Sequence, residues 1–189
     1  PVTVGKDGRV VDTDEQPGKA KLDKIPQLKP AFAKDGSVTA ANSSSISDGA
    51  AALVMTSGAN AQAKGLKPVA RLLAHSTHAQ EPGWFTTAPV SAIDKLLKRV
   101  GWSVSDVDLF EVNEAFAVVA MAAMHELKIP HEKLNIRGGA CALGHPVGAS
   151  GARIMVTLIH ALRDKGLKRG VASLCIGGGE ATAIALELM

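Results

Sequence analysis

Apolar residues recur at helical spacing in two stretches of the chain. Phe116, Val119, Ala120, Ala123, Met124 and Leu127 trace one stripe. Ile154, Leu158, Ala161 and Leu162 trace another within residues 151–165, and Gly166 follows where such a helix would stop. Residues 88–100 read as a further helix, and Ser57 is placed to cap a short one ending near Gly65. Apolar runs of strand length lie between these segments, at residues 50–55, 69–73, 108–112 and 170–176. Residues 181–188 alternate and read as a strand returning after the turn Gly177-Gly178-Gly179-Glu180. Strands alternating with helices predict a layered α/β fold. The tight last turn makes the final two strands antiparallel, so the sheet is expected to be mixed.

Residues 1–47 show neither period. They carry charges, Gly and Pro, then the small polar run Asn42-Ser43-Ser44-Ser45-Ile46-Ser47, and they read as loops and short turns. A self-sufficient domain rarely opens with so long an irregular segment, so this one is expected to pack on something further. The first residues, Pro1-Val2-Thr3-Val4, include no initiator Met, and the natural start is expected upstream.

Composition narrows the function classes. The 189 residues are 46% hydrophobic and 21% charged, ordinary for a globular protein, and the net charge is only +3. The mild basic bias favours an anionic ligand weakly, but Lys and Arg are spread along the chain and Tyr is absent, so neither a nucleic-acid patch nor a base-stacking surface is expected. The two cysteines, Cys141 and Cys175, form no CxxC pair, which fits a reducing compartment and offers no zinc site. The six histidines lack metal-ligand spacing. No apolar stretch is long enough to span a membrane, and no signal peptide is visible. A cytoplasmic location, with no metal, nucleic acid or membrane partner, is the expectation.

Three segments carry candidate chemistry. They are Asn113-Glu114-Ala115-Phe116, the glycine-rich run from Gly138 to Gly151, and Cys175-Ile176-Gly177-Gly178-Gly179-Glu180. Each sets a reactive side chain at the junction of a strand with a loop or helix, where α/β sheets bind ligands. His145 stands between Gly144 and Pro146, and an imidazole there can activate a thiol or donate to a developing oxyanion. Cys175 ends an apolar strand, and the glycines after it bring backbone N–H groups close enough for an oxyanion hole. A thiol needs little tuning to serve as acid or base near neutral pH. Asn113, taken alone, reads as a helix cap, with Glu114 in the first turn suiting the helix dipole. Cys141, flanked by alanines, reads as packing. Neither GxGxxG nor GxxxxGK[ST] is matched, which removes dinucleotide and P-loop readings.

Taken together, in this order and spacing, the three segments resemble the thiolase family, specifically the acetyl-CoA acetyltransferase (biosynthetic β-ketothiolase) type. Asp48-Gly49-Ala50-Ala51-Ala52 adds a fourth match, and the resemblance covers essentially the whole chain. It implies a fold of two similar halves, each a mixed five-stranded sheet with helices on both faces. Residues 1–47 would be the end of the loop region covering coenzyme A, residues 48–68 the last strand and helix of the first half, and residues 69–189 the second half. Family chains are about twice this length, which implies a missing N-terminal half bearing the nucleophilic cysteine. The implied reaction is the reversible Claisen condensation of two acetyl-CoA to acetoacetyl-CoA and CoA, with the CoA thioesters as substrates and no cofactor.

By motif, Cys175 matches the acid/base cysteine and His145 the histidine that activates the nucleophile. Asn113 matches the residue holding a water that completes the thioester-oxygen site, to which His145 also contributes, and the Gly177 N–H a donor of the other oxyanion hole. Ala40 and Ser44 match coenzyme A contacts, Phe85 an acyl-pocket position often held by Met, and Phe116 goes with them as a substrate-binding position. Arg137 departs from the polar residue common there. The full-length family protein is expected as a homotetramer, and this chain alone is expected to be inactive and to self-associate. The competing expectations are a subunit completed by a separate chain and a silent CoA-binding module. Asn113-Glu114-Ala115-Phe116-Ala117 argues against the sterol-carrier-like branch.

Overall fold

The structure is a computed structural model describing all 189 residues. The chain divides into two compact units, Pro1–Ala41 and Asn42–Met189.

The first unit has more regular structure than its sequence suggests. Strand β1 (Val2–Val4) pairs antiparallel with β2 (Arg9–Val11). Helix α1 (Glu15–Lys19) follows, capped by the Asp14 side chain, which accepts from the Gln16 N–H at 3.0 Å. A 3-10 turn spans Leu22–Gln27, and Ala31 N–H to Val38 O at 2.8 Å closes the next loop. Strands of three residues are too short to show a period, which is why the hairpin was not legible.

The second unit carries the sheet. Helix α2 (Gly58–Ala63) is capped by Ser57 as expected, with the Asn60 N–H donating to its hydroxyl. Then come β3 (Ala70–Ala79), α3 (Ala88–Val100), β4 (Leu109–Val112), α4 (Ala117–Leu127), α5 (Ala140–Leu143), α6 (Ser150–Lys165), β5 (Arg169–Ile176) and β6 (Glu180–Leu188). The sheet order is β3-β6-β5-β4, with β4 and β5 parallel and both β5–β6 and β6–β3 antiparallel, so the sheet is mixed. No helix is long and apolar enough to cross a membrane.

Three strand expectations need correction. Residues 50–55 pair with no strand, and Val54 and Met55 stand exposed. An apolar run becomes a strand only where a partner ladder is present to receive it. Strand β3 runs on through His75, Ser76, Thr77 and His78, past the apolar run that announced it. It is an edge strand bonded only to β6, so polar residues are tolerated along it. The sheet has four strands rather than five. The fifth place is a single parallel bridge from Leu134 to Phe110 at the free edge of β4. Asn135 then turns away with φ +49°, and its side chain replaces further backbone pairing. Its Oδ1 accepts from Val112 N–H and its Nδ2 donates to Val112 O, both at 2.8 Å.

Strand alternation sorts the core into two faces. Phe110, Val112, Val171, Cys175, Ala181, Ala183 and Ala185 belong to a cluster with Ile93 and Leu96 of α3 and Val119 and Ala123 of α4. Leu109, Ala172 and Leu186 face Ile154, Leu158 and Leu162 of α6. The three α6 side chains are essentially buried, and each such burial is worth about 1.5–3 kcal/mol in transfer free energy.

The β5–β6 turn is tied down by Gln80 N–H donating to Gly179 O at 2.9 Å. Gly179 has φ +94°, and a Cβ there would lie 2.3 Å from Gln80 O. Gly179→Ala is therefore expected to cost about 2–4 kcal/mol, from the left-handed backbone and the displaced neighbour together. Urea unfolding checks this, and an unchanged midpoint would show that the turn relaxes freely.

Candidate active site

The site forms where β4 ends and α6 begins. Leu109 and Glu111 alternate with Phe110 and Val112, so the Glu111 side chain emerges on the α6 face of the sheet. On α6, Ser150 and Arg153 are three residues apart and share the first turn, on the side that bears Ile154 and Leu158. Packing that apolar stripe brings Ser150 and Arg153 against the end of β4.

Asn113 follows β4 directly and is 1% exposed. It does not cap α4, whose N-cap is Phe116 with no side-chain capping bond. Its N–H donates to Ser173 O at 2.9 Å, which holds it in line with the sheet and frees the amide. The amide Nδ2 lies 3.3 Å from His145 Nε2, and Oδ1 accepts from Arg153 Nη2 at 3.2 Å. His145 Nδ1 lies 2.6 Å from Ser150 Oγ, which donates to Pro146 O at 3.0 Å. Burial first, and then the Arg153 charge, pushes the His145 pKa below its usual value.

The loop bearing His145 is fixed from below by residues 43–47. His145 N–H donates to Ser45 O at 2.9 Å, and Ile46 bridges to His145 in parallel. Gly144 has φ +87°, and a Cβ there would fall 2.2 Å from Ser47 Oγ, so only glycine lets the two segments close. Ser44 is tied into the same wall, its N–H and Oγ both directed at Ala115 O, at 3.1 and 3.0 Å. Phe85, in the 3-10 turn Pro82–Thr87, meets Phe116 edge to face at 6.3 Å between ring centroids.

Cys175 is placed differently. It is 8% exposed, packs in the α3–α4 cluster, and takes no part in the chain of hydrogen bonds running from Arg153 to Pro146. Burial raises its pKa. Gly177 lies just beyond it, exposed in the β5–β6 turn, and a Cβ there would meet nothing. Ala40 belongs to the first unit, at the start of the 3-10 turn Ala40–Asn42. Cys141 sits in α5 with its Sγ 3.8 Å from Glu114 O. Burial, then the Glu114 charge, pushes its thiol up to about 11. Glu114 does not serve the α4 dipole; its Oε2 accepts from Cys141 N–H at 3.1 Å and its Oε1 from Asn135 Nδ2 at 3.2 Å. No group of His, Cys, Asp and Glu side chains gathers as a metal site.

The site thus unites Asn113 and His145 in one hydrogen-bonded network, pairs Phe85 with Phe116, and walls the His145 loop with the segment containing Ser44. Residues 66–188 match the family model described as "Thiolase, C-terminal domain", and residues 1–59 match "Thiolase, N-terminal domain". The chain belongs to the thiolase family. It is 53% identical over 186 residues to a probable acetyl-CoA acetyltransferase of Dictyostelium discoideum, covering 97% of this chain and 45% of the relative. It is 52% identical to acetyl-CoA acetyltransferase 1 of Arabidopsis thaliana, covering 98% of this chain and 45% of that one. Among solved structures, the acetyl-CoA acetyltransferase of Bacillus anthracis superposes with a TM-score of 0.86 at 47% identity, over 90% of this chain and 43% of the other. Acat5 thiolase from Ascaris suum, solved in complex with coenzyme A, gives 0.84 at 42% identity, over 95% and 47%. The chain spans about half the length of the thiolases it matches.

Sequence reasoning missed Ser150, Arg153 and Glu111 in this thiolase chain. The available signal was a lone carboxylate in the strand Leu109–Val112 and a cation in the first turn of an otherwise apolar helix face. Glu111 is 2% exposed, and its nearest cationic atom is Arg153 Nη1, 3.9 Å from Oε2. Burial, opposed by Arg153 and aided by Glu114, raises its pKa from 4.5 to about 7. Between those two values the folded chain holds a proton that the unfolded chain has lost, so stability falls as pH rises across this window. Glu111→Gln keeps the neutral form at every pH. It is expected to match the parent near pH 4.5 and to exceed it by about 3 kcal/mol at pH 8, read by urea unfolding at both. Equal stabilities at pH 8 would show that Glu111 ionises freely in the fold.

Proposed function

We propose that this chain supplies the acid/base and oxygen-binding part of a thiolase active site, acting in the reversible condensation of two acetyl-CoA to acetoacetyl-CoA and CoA. The observation that carries this reading is the Asn113–His145 network, which sets Nε2 of an imidazole of lowered pKa 3.3 Å from the Asn113 amide nitrogen, a base with a second polar group beside it. Once Nε2 has taken a proton from an attacking thiol, it donates to the thioester oxygen, and Asn113 supports the same oxygen. Cys175 keeps its proton at rest because burial disfavours the thiolate. It can pass that proton to the departing CoA thiolate and then, as thiolate, take the α-proton of the second acetyl-CoA. The resulting carbanion attacks the acyl carbon, and the C–S bond to the nucleophile breaks. Gly177 N–H, in the open turn beside Cys175, is a donor of the other oxyanion hole, for the oxygen of the tetrahedral intermediate.

Substrate binding falls to Ala40 and Ser44 for coenzyme A and to Phe85 and Phe116 for the acyl end. CoA thioesters are substrates on this reading, and no cofactor is required. The nucleophile comes from elsewhere. Cys141 is unsuited to it, since burial and Glu114 both hold its thiol protonated. An N-terminal thiolase half is the partner that would provide one, within a cytoplasmic homotetramer. That same observation favours a second reading, a silent module that binds coenzyme A without turnover.

Acetoacetyl-CoA thiolysis by this chain, with and without an added N-terminal thiolase half, separates the two. Turnover is expected only with both, falling about 10²–10⁴-fold in His145→Ala or Cys175→Ala. Turnover by this chain alone would place the nucleophile within it. No turnover in either case, with coenzyme A still bound, would support the silent module.

A further inference from the structure

We propose that Arg153 is a positioning residue for this site: by holding the Asn113 carbonyl oxygen, it decides which nitrogen of His145 is left as the base. This rests on the assignment of His145 and Asn113 to the reaction above.

An amide side chain has two faces of opposite character, and nothing in Asn113 itself selects between them. Arg153 removes the ambiguity. A guanidinium has only donors, so the group 3.2 Å from its Nη2 must be Oδ1. Turning the amide over would set an NH₂ against a guanidinium, donor facing donor. With Oδ1 committed, the Nδ2 hydrogens face His145 Nε2 at 3.3 Å, and that nitrogen accepts. Nε2 then carries no proton, so the proton sits on Nδ1 and is donated to Ser150 Oγ at 2.6 Å. The serine hydroxyl has one hydrogen, and Pro146 O takes it at 3.0 Å. Donation therefore runs one way, from Arg153 through Asn113, His145 and Ser150 to Pro146 O. Its two ends cannot reverse, since the cation only donates and the Pro146 carbonyl only accepts; Asn113, His145 and Ser150 between them can, and Arg153 is the end that orients the Asn113 amide.

The surroundings of Arg153 fit this role better than that of a core ion pair. Its side chain is 18% exposed, and Glu111 Oε2 approaches Nη1 no closer than 3.9 Å. Arg153 Nε and Nη1 and Glu111 Oε1 have no hydrogen-bond partner. A buried pair serving stability needs close geometry and filled donors. Here the carboxylate offsets charge from a distance, and the guanidinium directs its hydrogen bond to Asn113. Besides Arg153, the titratable groups on the elements around His145 are Glu111 on β4, Glu114 in the loop after it, Cys141 on α5, Asp48 beyond the bridge at Ile46, and His160, Arg163, Asp164 and Lys165 toward the far end of α6. Arg153 is the one whose charge acts on the imidazole, lowering its pKa after burial has done so.

The test is long-range ¹H–¹⁵N NMR of histidine-labelled 189-residue chain, which reads the tautomer and pKa of His145 without turnover. The parent should show the Nδ1–H tautomer and a pKa below 6.5. In Arg153→Gln, the new amide can present either face to Asn113, so both tautomers should appear and the pKa should rise. Arg153→Lys retains a donor-only group and should keep the Nδ1–H form. An Nε2–H tautomer in the parent overturns the proposal, and so does Arg153→Gln if it lowers the thermal midpoint yet leaves tautomer and pKa unchanged. Should Arg153→Gln not fold, the parent tautomer and Arg153→Lys decide, a mixed population in the lysine variant counting against. Because these readouts need no second chain, the proposal can fail while the thiolysis result stands, and the reverse.

Discussion

Leu158 lies fully buried between α6 and the sheet, with Ile154 and Leu162 one turn to either side. Their contact with Leu109, Ala172 and Leu186 sets how α6 lies on β4 and β5. Everything at the helix's N-terminal end inherits that register. Ser150 and Arg153 reach the end of β4 because they precede the apolar stripe on the same side. A shift of one residue along α6 would rotate the side chains by about 100° and carry Arg153 away from Asn113. The polar chemistry of the site is thus positioned by apolar packing that contains no reactive group.

The site also shows how a folded core treats charge. Both Glu111 and His145 are pushed toward their neutral forms, the acid upward and the base downward, with burial the first cause in each. Their effects on stability run in opposite directions. Protonated Glu111 suits the fold below about pH 7, whereas neutral His145 suits it as pH rises toward the ordinary histidine value. The contributions partly offset one another in the mildly acidic range.

What was legible in the sequence follows from what each residue depends on. Residues 88–100 and 151–165 read correctly because a helix satisfies its own backbone and announces itself by period. The Gly turn before β6 read correctly for a similar local reason. Residues 50–55 misled because a strand requires a partner, and apolar character alone does not supply one. Asn135 was invisible because it substitutes a side chain for strand pairing, which no period records. Asn113 looked like a cap because the residue type favours one; its two side-chain partners, His145 in the loop before α6 and Arg153 on α6, are distant in sequence. The motifs located His145 and Asn113, and Ser150 stands within one of them, but nothing there marks it as a partner of His145; Arg153 lies outside the motifs, and the packing of α6 reveals both.

The two cysteines show why position outweighs residue type in assigning chemistry. Both are free and both have raised pKa values, so neither is a thiolate at rest. Cys141 is held up partly by the Glu114 charge, and any thiolate there would face that carboxylate as well as the Glu114 carbonyl oxygen. Cys175 is held up by burial alone, at the end of a strand whose next residues are three glycines. Burial is a reversible obstacle: a thiolate produced there needs only donors, and the open turn at Gly177 has backbone N–H groups to offer. A fixed negative neighbour is not removed by substrate binding. On the proposed reading, this difference assigns proton transfer to Cys175 and leaves Cys141 as packing, although the two share a chain, a side-chain type and the direction of their pKa shift.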